Sequence, residues 1–264
     1  MKKIVLLCVI LVATFASCSS DDAAPVIEIP TENGTLIKKI SYDYSDNSFN
    51  ETITYNYDGV KLIEGIYDDS TKEKYFYTGD AITKIEYRSA TNELEYQDLF
   101  SYNNDGKLIE YRFQDFFDDS EEKSLYVYNG DNTITETQIN GPINNTITTG
   151  FQSKLYLAGD EVVKKEQLFA FGATYNYNYD SKNSPFRNVL GYGAIVLVSF
   201  GDHELFGKNQ NITSIFDETN NSAYMTNTSV YNAGNFPTAV TSVAIFDVDF
   251  PSDSQSVNVV YLYQ

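Results

Sequence analysis

The chain has 264 residues, 42% of them apolar and 21% charged, enough to bury a sizeable core in one domain or at most two, and too ordered in composition for a disordered tail. Its formal net charge is −19 with no dense Lys/Arg run, which excludes nucleic acid as a partner because a phosphate backbone would be repelled. One His and two Cys leave almost no ligands for a zinc site and almost no bases for Cys/His catalysis, while 22 Tyr and 17 Phe without Trp favour strands over helices.

Lys2 and Lys3 precede an uncharged apolar run from Ile4 to Phe15, the positive start and short apolar centre of a secretory signal. The run is too short for the roughly 20 residues that cross a bilayer as a helix. It ends Phe15-Ala16-Ser17-Cys18, which resembles the lipobox of bacterial lipoproteins, with Phe15 where Leu is more usual. That resemblance implies cleavage before Cys18, lipidation of Cys18 and attachment to a membrane through the lipid anchor. Cys8 leaves with the signal, so the mature chain has no intramolecular disulfide. Ser19, Ser20, Asp21 and Asp22 resemble the surface-export signal of Bacteroidota lipoproteins, implying an outer-membrane lipoprotein that faces the cell exterior. Pro25, Pro30 and Gly34 then mark a tether. The expected organisation is a signal peptide over 1–17, lipidated Cys and flexible tether over 18–34, and a single all-β domain of hairpin repeats over 35–264.

From Leu36 onward the chain alternates apolar and polar residues between turn signals. Two segments, 54–67 and 100–113, are one unit written twice, and weaker copies occupy 75–87, 126–137, 155–165 and 231–240. Each carries aromatic or apolar residues two apart, a Gly-centred turn and a second alternating stretch. Asp58-Gly59, Asp105-Gly106 and Asn129-Gly130 suit tight hairpin turns that need positive φ, and the pairs Tyr55/Tyr57, Tyr75/Tyr77 and Tyr126/Tyr128 each share one strand face. A lone hairpin cannot bury such a face. The expected fold is all-β: an extended, twisted antiparallel sheet of consecutive hairpins, either open or curled to partial closure over its own core or a plugging segment. One apolar connector is expected around 186–207, a buried strand or a short helix packed on the aromatic face.

The pattern Tyr-x-Tyr-x-Gly-x-x-Leu of Tyr55 to Leu62 resembles the tyrosine-aspartate repeats of RHS and teneurin type, and more closely those of uncharacterised Bacteroidota outer-membrane lipoproteins. The block from Tyr179 and Asp180 through Lys182, Pro185 and Phe186 to Asn188 looks like a signature of that lipoprotein group, with later landmarks at 209–213 and 231–237. The resemblance implies fold and location; the group has no established activity to carry over.

His203, in Gly201-Asp202-His203-Glu204, reads as a surface-loop residue, since no Gly-x-Ser-x-Gly elbow is present. No phosphate loop or dinucleotide fingerprint occurs, so no nucleotide and no cofactor is expected. The acidic clusters are Asp68-Asp69, Asp115 with Asp118, Asp119, Glu121 and Glu122, and Asp247, Asp249 and Asp253. Asp118, Asp119, Glu121 and Glu122 are the calcium candidates, although no spacing matches the usual calcium loop. The expected function is a non-enzymatic surface binding module for a glycan or an envelope protein, acting through aromatic residues or a pocket near 186–207. A structural or assembly role in the envelope is the alternative, and a carboxylate-based hydrolase the third.

Overall fold

In the computed structural model the described residues are 34–45, 50–145, 150–199, 205–245 and 255–264. Cys18, Ser19 to Asp22, His203, Asp247, Asp249 and Asp253 lie outside them. The described strands are β1 (Ile37–Tyr44), β2 (Asn50–Asp58), β3 (Lys61–Tyr67), β4 (Lys72–Thr78), β5 (Ala81–Arg88), β6 (Leu94–Tyr102), β7 (Leu108–Asp115) and β8 (Ser120–Tyr128). They continue with β9 (Thr133–Pro142), β10 (Phe151–Ala158), β11 (Glu161–Gln167), β12 (Thr174–Tyr179), β13 (Ile212–Asp217), β14 (Ser222–Tyr231), β15 (Pro237–Ala244) and β16 (Gln255–Tyr263). One helix is described, α1 (Gly193–Val198), between β12 and β13.

Each strand pairs antiparallel with its sequence neighbours, and β1 pairs with β16, so the sixteen described strands form a closed barrel. This corrects the open or partly closed sheet expected from the hairpin repeats. Hairpin patterning is local, whereas the seam joins residues more than 200 positions apart, Ile40 opposite Tyr261 and Tyr42 opposite Val259. Closure leaves no free edge among the described strands to template aggregation.

One end of the barrel carries the tight turns. Gly59-Val60, Gly79-Asp80 and Gly159-Asp160 are two-residue loops with glycine first and left-handed, the arrangement of a type II′ turn. In the 129–132 loop the left-handed residue is Asn132, not the Gly130 that the sequence suggests. Leu36 and Gln264 pair at this same end.

β-Bulges interrupt the strand pairing near this end at Tyr57, Tyr77, Tyr102, Leu157, Tyr179 and Tyr231. The last tyrosine of an up-strand then reaches the preceding hairpin. The Tyr77 hydroxyl accepts from Leu62 N at 3.0 Å, Tyr102 donates to Ile82 O at 2.6 Å, Tyr179 to Val162 O at 2.7 Å and Tyr263 to Pro237 O at 2.7 Å. On these four strands the first aromatic residue, Tyr75, Phe100, Tyr177 or Tyr261, fills the core and the second fastens neighbouring hairpins.

Alternation places the aromatic residues inside, in layers. Tyr57, Tyr77, Tyr102 and Tyr128 line the turn end; Tyr55, Tyr75, Phe100 and Tyr126 lie above them, and Ile53, Glu73, Asp98 and Ser124 above those. None of the 22 tyrosines is in the exposed class. The outer wall is charged: Lys84–Glu86 at 2.6 Å, Arg88–Glu86 at 2.7 Å, Arg112–Glu110 at 3.3 Å and Lys164–Glu218 at 3.2 Å. A barrel that crosses a bilayer carries an outward apolar band about 25 Å tall. This wall carries exposed apolar side chains beside its ion pairs, Ile63, Phe76, Ile109, Val127, Val230, Val260 and Leu262 among them, and the core is inside.

Candidate functional site

The connector between β12 and β13 enters the barrel from the turn end and plugs it. Tyr179 and Asp180 hold its start: Asp180 accepts from Lys182 N at 2.8 Å and from Asn211 N at 3.3 Å, and the Tyr231 hydroxyl donates to it. Lys182 Nζ donates to Asn235 at 2.7 Å, and Asn188 Nδ2 to Thr35 O at 3.0 Å. Glu161 holds the far end, accepting from Lys208 N at 2.9 Å and Asn209 N at 2.6 Å. The Tyr179 to Asn188 block thus acts as an anchor for the plug. Phe186, 4% exposed, stacks on Tyr192 with ring centroids 4.0 Å apart and meets Tyr55 edge-on at 5.7 Å. Gly191, at φ +77°, lies where an added Cβ would sit 3.0 Å from Asp80 O and Ile82 N of the β4–β5 turn.

Beyond Tyr192 the chain winds into α1, and between it and the wall formed by β1, β14, β15 and β16 lies a cavity of about 310 Å³. Tyr42, Tyr44, Tyr192, Ile195, Val196, Leu205, Phe206, Met225, Ala244 and Val257 give it an apolar lining, with Ser199, Ser242 and Gln255 as its short polar side chains. Exposed Ser199 and half-buried Tyr44 and Gln255 place its mouth toward the end opposite the tight turns. The described lining contains no ionisable acid, His, Lys or Arg. It is suited to holding a small, mostly apolar molecule, at the lower end of the volumes that ligand sites occupy.

The region around 186–207 singled out in the sequence supplies one side of this cavity; the opposite wall comes from β1 and the last three strands and has no local signature. Sequence reasoning also missed a set of carboxylates facing the lumen. Glu73 accepts from the Tyr67 and Tyr75 hydroxyls, and Asp98 from Tyr87 at 2.7 Å and Tyr111 at 2.8 Å. Glu136 is paired with Lys165 at 3.4 Å. Their signal was present: Glu73 and Asp98 stand in phase with Tyr75/Tyr77 and Phe100/Tyr102.

Alternation separates the calcium candidates. Asp118 and Asp119 are exposed in the β7–β8 loop, Glu121 faces outward against Gln114 and Arg112, and Glu122 faces the other way, opposite Phe113. Among the described residues no group of three or more His, Cys, Asp or Glu is placed to hold a metal ion.

Burial raises the Asp98 carboxyl to about 6, despite hydrogen bonds from Tyr87 and Tyr111 that act the other way. Burial, then Glu73 and the loop residues Asp68 and Asp69, raise Glu51 to about 6, and burial raises Glu73. A carboxyl raised in the folded state binds its proton more tightly there than in the unfolded chain, so its contribution to stability is present at low pH and lost as pH rises through the folded value. The melting temperature is therefore expected to rise as pH falls from about 7.5 to about 5, Asp98 alone accounting for on the order of 1–2 kcal/mol over that window. Calorimetric melts across that window check this; a melting temperature that falls on acidification contradicts it.

No family model matches the chain, and no curated protein matches it. Among solved structures the chain is similar to a porin-like protein from Bacteroides uniformis ATCC 8492, at 13% identity over 86% of this chain and 98% of that one, with a TM-score of 0.43. The fold rests on the chain's own strand pairing. A closed sixteen-stranded barrel is consistent with an outer-membrane location.

Proposed function

We propose that the protein is an outer-membrane lipoprotein, held through lipidated Cys18 and facing the cell exterior, whose water-facing barrel binds a small, predominantly apolar ligand without catalysis. The observation that carries this reading is the uncharged, apolar cavity between α1 and the β1, β14–β16 wall. The ion pairs on the outer wall favour a tethered body. The absence of any tyrosine from the exposed class favours capture inside the barrel over glycan stacking on its surface.

The test is a thermal-shift screen of small apolar compounds against the protein and an Ala244→Phe variant that fills the cavity. A compound at about 100 times its Kd adds about 2.7 kcal/mol, or about 5–10 °C. The shift is expected in the native protein and lost in the variant. An equal shift in both, or none in either, overturns the reading.

A second reading, an assembly role in the envelope, is favoured by phenylalanines at the end opposite the tight turns. Phe117 is 90% and Phe171 104% exposed, and Phe151 meets Phe169 at 5.1 Å. Exposed aromatic groups of this kind mark contact surfaces. On this reading the double variant Phe117→Ser, Phe171→Ser loses cross-links to envelope proteins while its melting temperature is unchanged; cross-links that persist contradict it.

A further inference from the structure

Building on the proposed ligand cavity, we propose that its occupant is an apolar molecule bearing an amine, held as the ammonium ion and preferred over neutral and carboxylate analogues of the same shape. Three tyrosine rings, Tyr42, Tyr44 and Tyr192, line the cavity beside the aliphatic surface of Met225 and Val257. Tyrosine faces attract a cation through the ring quadrupole, and more strongly where water is displaced. The apolar side chains accept the ligand's body, and the rings accept its charged end.

Among the described residues, the lumen-facing charge on β2, β4 and β6 is negative. Glu51 is the direct cross-strand partner of Tyr42, both on inward positions, and half-buried Glu51 reaches the lumen at the same level as the tyrosine. On the following strands come Glu73, held by Tyr67 and Tyr75, and then Asp98, held by Tyr87 and Tyr111. All four partners are neutral hydroxyls, so these carboxylates are solvated but not compensated. On the inward faces of the described strands the one cationic side chain is Lys165, already paired with Glu136. A carboxylate ligand would enter this field against like charge with no Lys or Arg in the described lining to receive it, whereas an ammonium group gains from both rings and carboxylates. The upward displacement of Glu51 by burial and by Glu73, Asp68 and Asp69 reports the same uncompensated negative field.

The experiment is isothermal titration calorimetry of the full-length protein at pH 7.5 and low salt with three probes that share one body: 3-phenylpropylammonium, 3-phenylpropan-1-ol and 3-phenylpropanoate. The ammonium probe is expected to bind about tenfold more tightly than the carboxylate and about threefold more tightly than the alcohol. Glu51→Gln, nearly isosteric, is expected to shrink the ammonium-to-alcohol ratio toward one. An alcohol that binds as tightly as the ammonium overturns the amine preference and leaves the cavity reading standing. No binding by any of the three overturns the cavity reading and the preference with it.

Discussion

Lys165→Met is expected to destabilise the barrel by about 3–5 kcal/mol. Lys165 and Glu136 face the lumen on β11 and β9 with side chains only 9% and 5% exposed, and their Nζ and Oε2 atoms are 3.4 Å apart. Glu136 Oε1 has the Ser124 and Tyr126 hydroxyls at 3.3 Å, but Oε2 has no hydrogen-bond partner besides this ion pair. Removing the ammonium group strands a buried negative charge. For a body of this size the melting temperature should fall by about 10 °C. The double variant Lys165→Met, Glu136→Gln is expected to recover most of the loss, because two neutral side chains leave no charge to compensate. Urea unfolding of the set checks both statements; a single variant within about 1 kcal/mol of the native protein contradicts the first.

Phe186→Ala is expected to be of similar size, about 3–5 kcal/mol, for a different reason. Its ring is 4% exposed and packs between Tyr192, Tyr55 and Phe206, the last at 5.5 Å, so truncation leaves a void where the plug meets the wall. Two of those three neighbours, Tyr192 and Phe206, line the ligand cavity. The variant should therefore lose ligand-induced thermal shifts as well as stability. Conservative Phe186→Leu should retain more of both. A Phe186→Ala protein that melts within about 2 °C of the native one would show that the plug contributes little to the fold.

The hairpins were legible because their cause is local. Asp58-Gly59 and Asp105-Gly106 require a tight turn, and Tyr55/Tyr57 and Tyr75/Tyr77 can share a buried face only on a strand. Closure was not legible, because nothing in the alternation of 37–44 or 255–263 distinguishes a strand paired on both sides from an edge strand. The same distance in sequence hid half of the cavity: Tyr192 and Phe206 belong to the apolar connector, but Ser242, Ala244 and Val257 are ordinary strand residues until the barrel brings them opposite it. Glu73 and Asp98 were overlooked for the opposite reason. Their tyrosine-phased positions mark them as inward, yet carboxylates in a hairpin repeat read naturally as solvent-facing. The acidic run Asp118 to Glu122 drew attention by density alone, and period-two alternation then divides Glu121 from Glu122.

Closure itself is tested most directly at the seam. Ser41 on β1 and Val260 on β16 are cross-strand partners on the outer wall, within the Cα separation that a disulfide spans. In a Ser41→Cys, Val260→Cys variant, peptide mapping under non-reducing conditions is expected to recover the 41–260 disulfide in nearly all molecules, without loss of melting temperature. Two free thiols at these positions after oxidation would mean that β1 and β16 lie apart, and the barrel would be an open sheet.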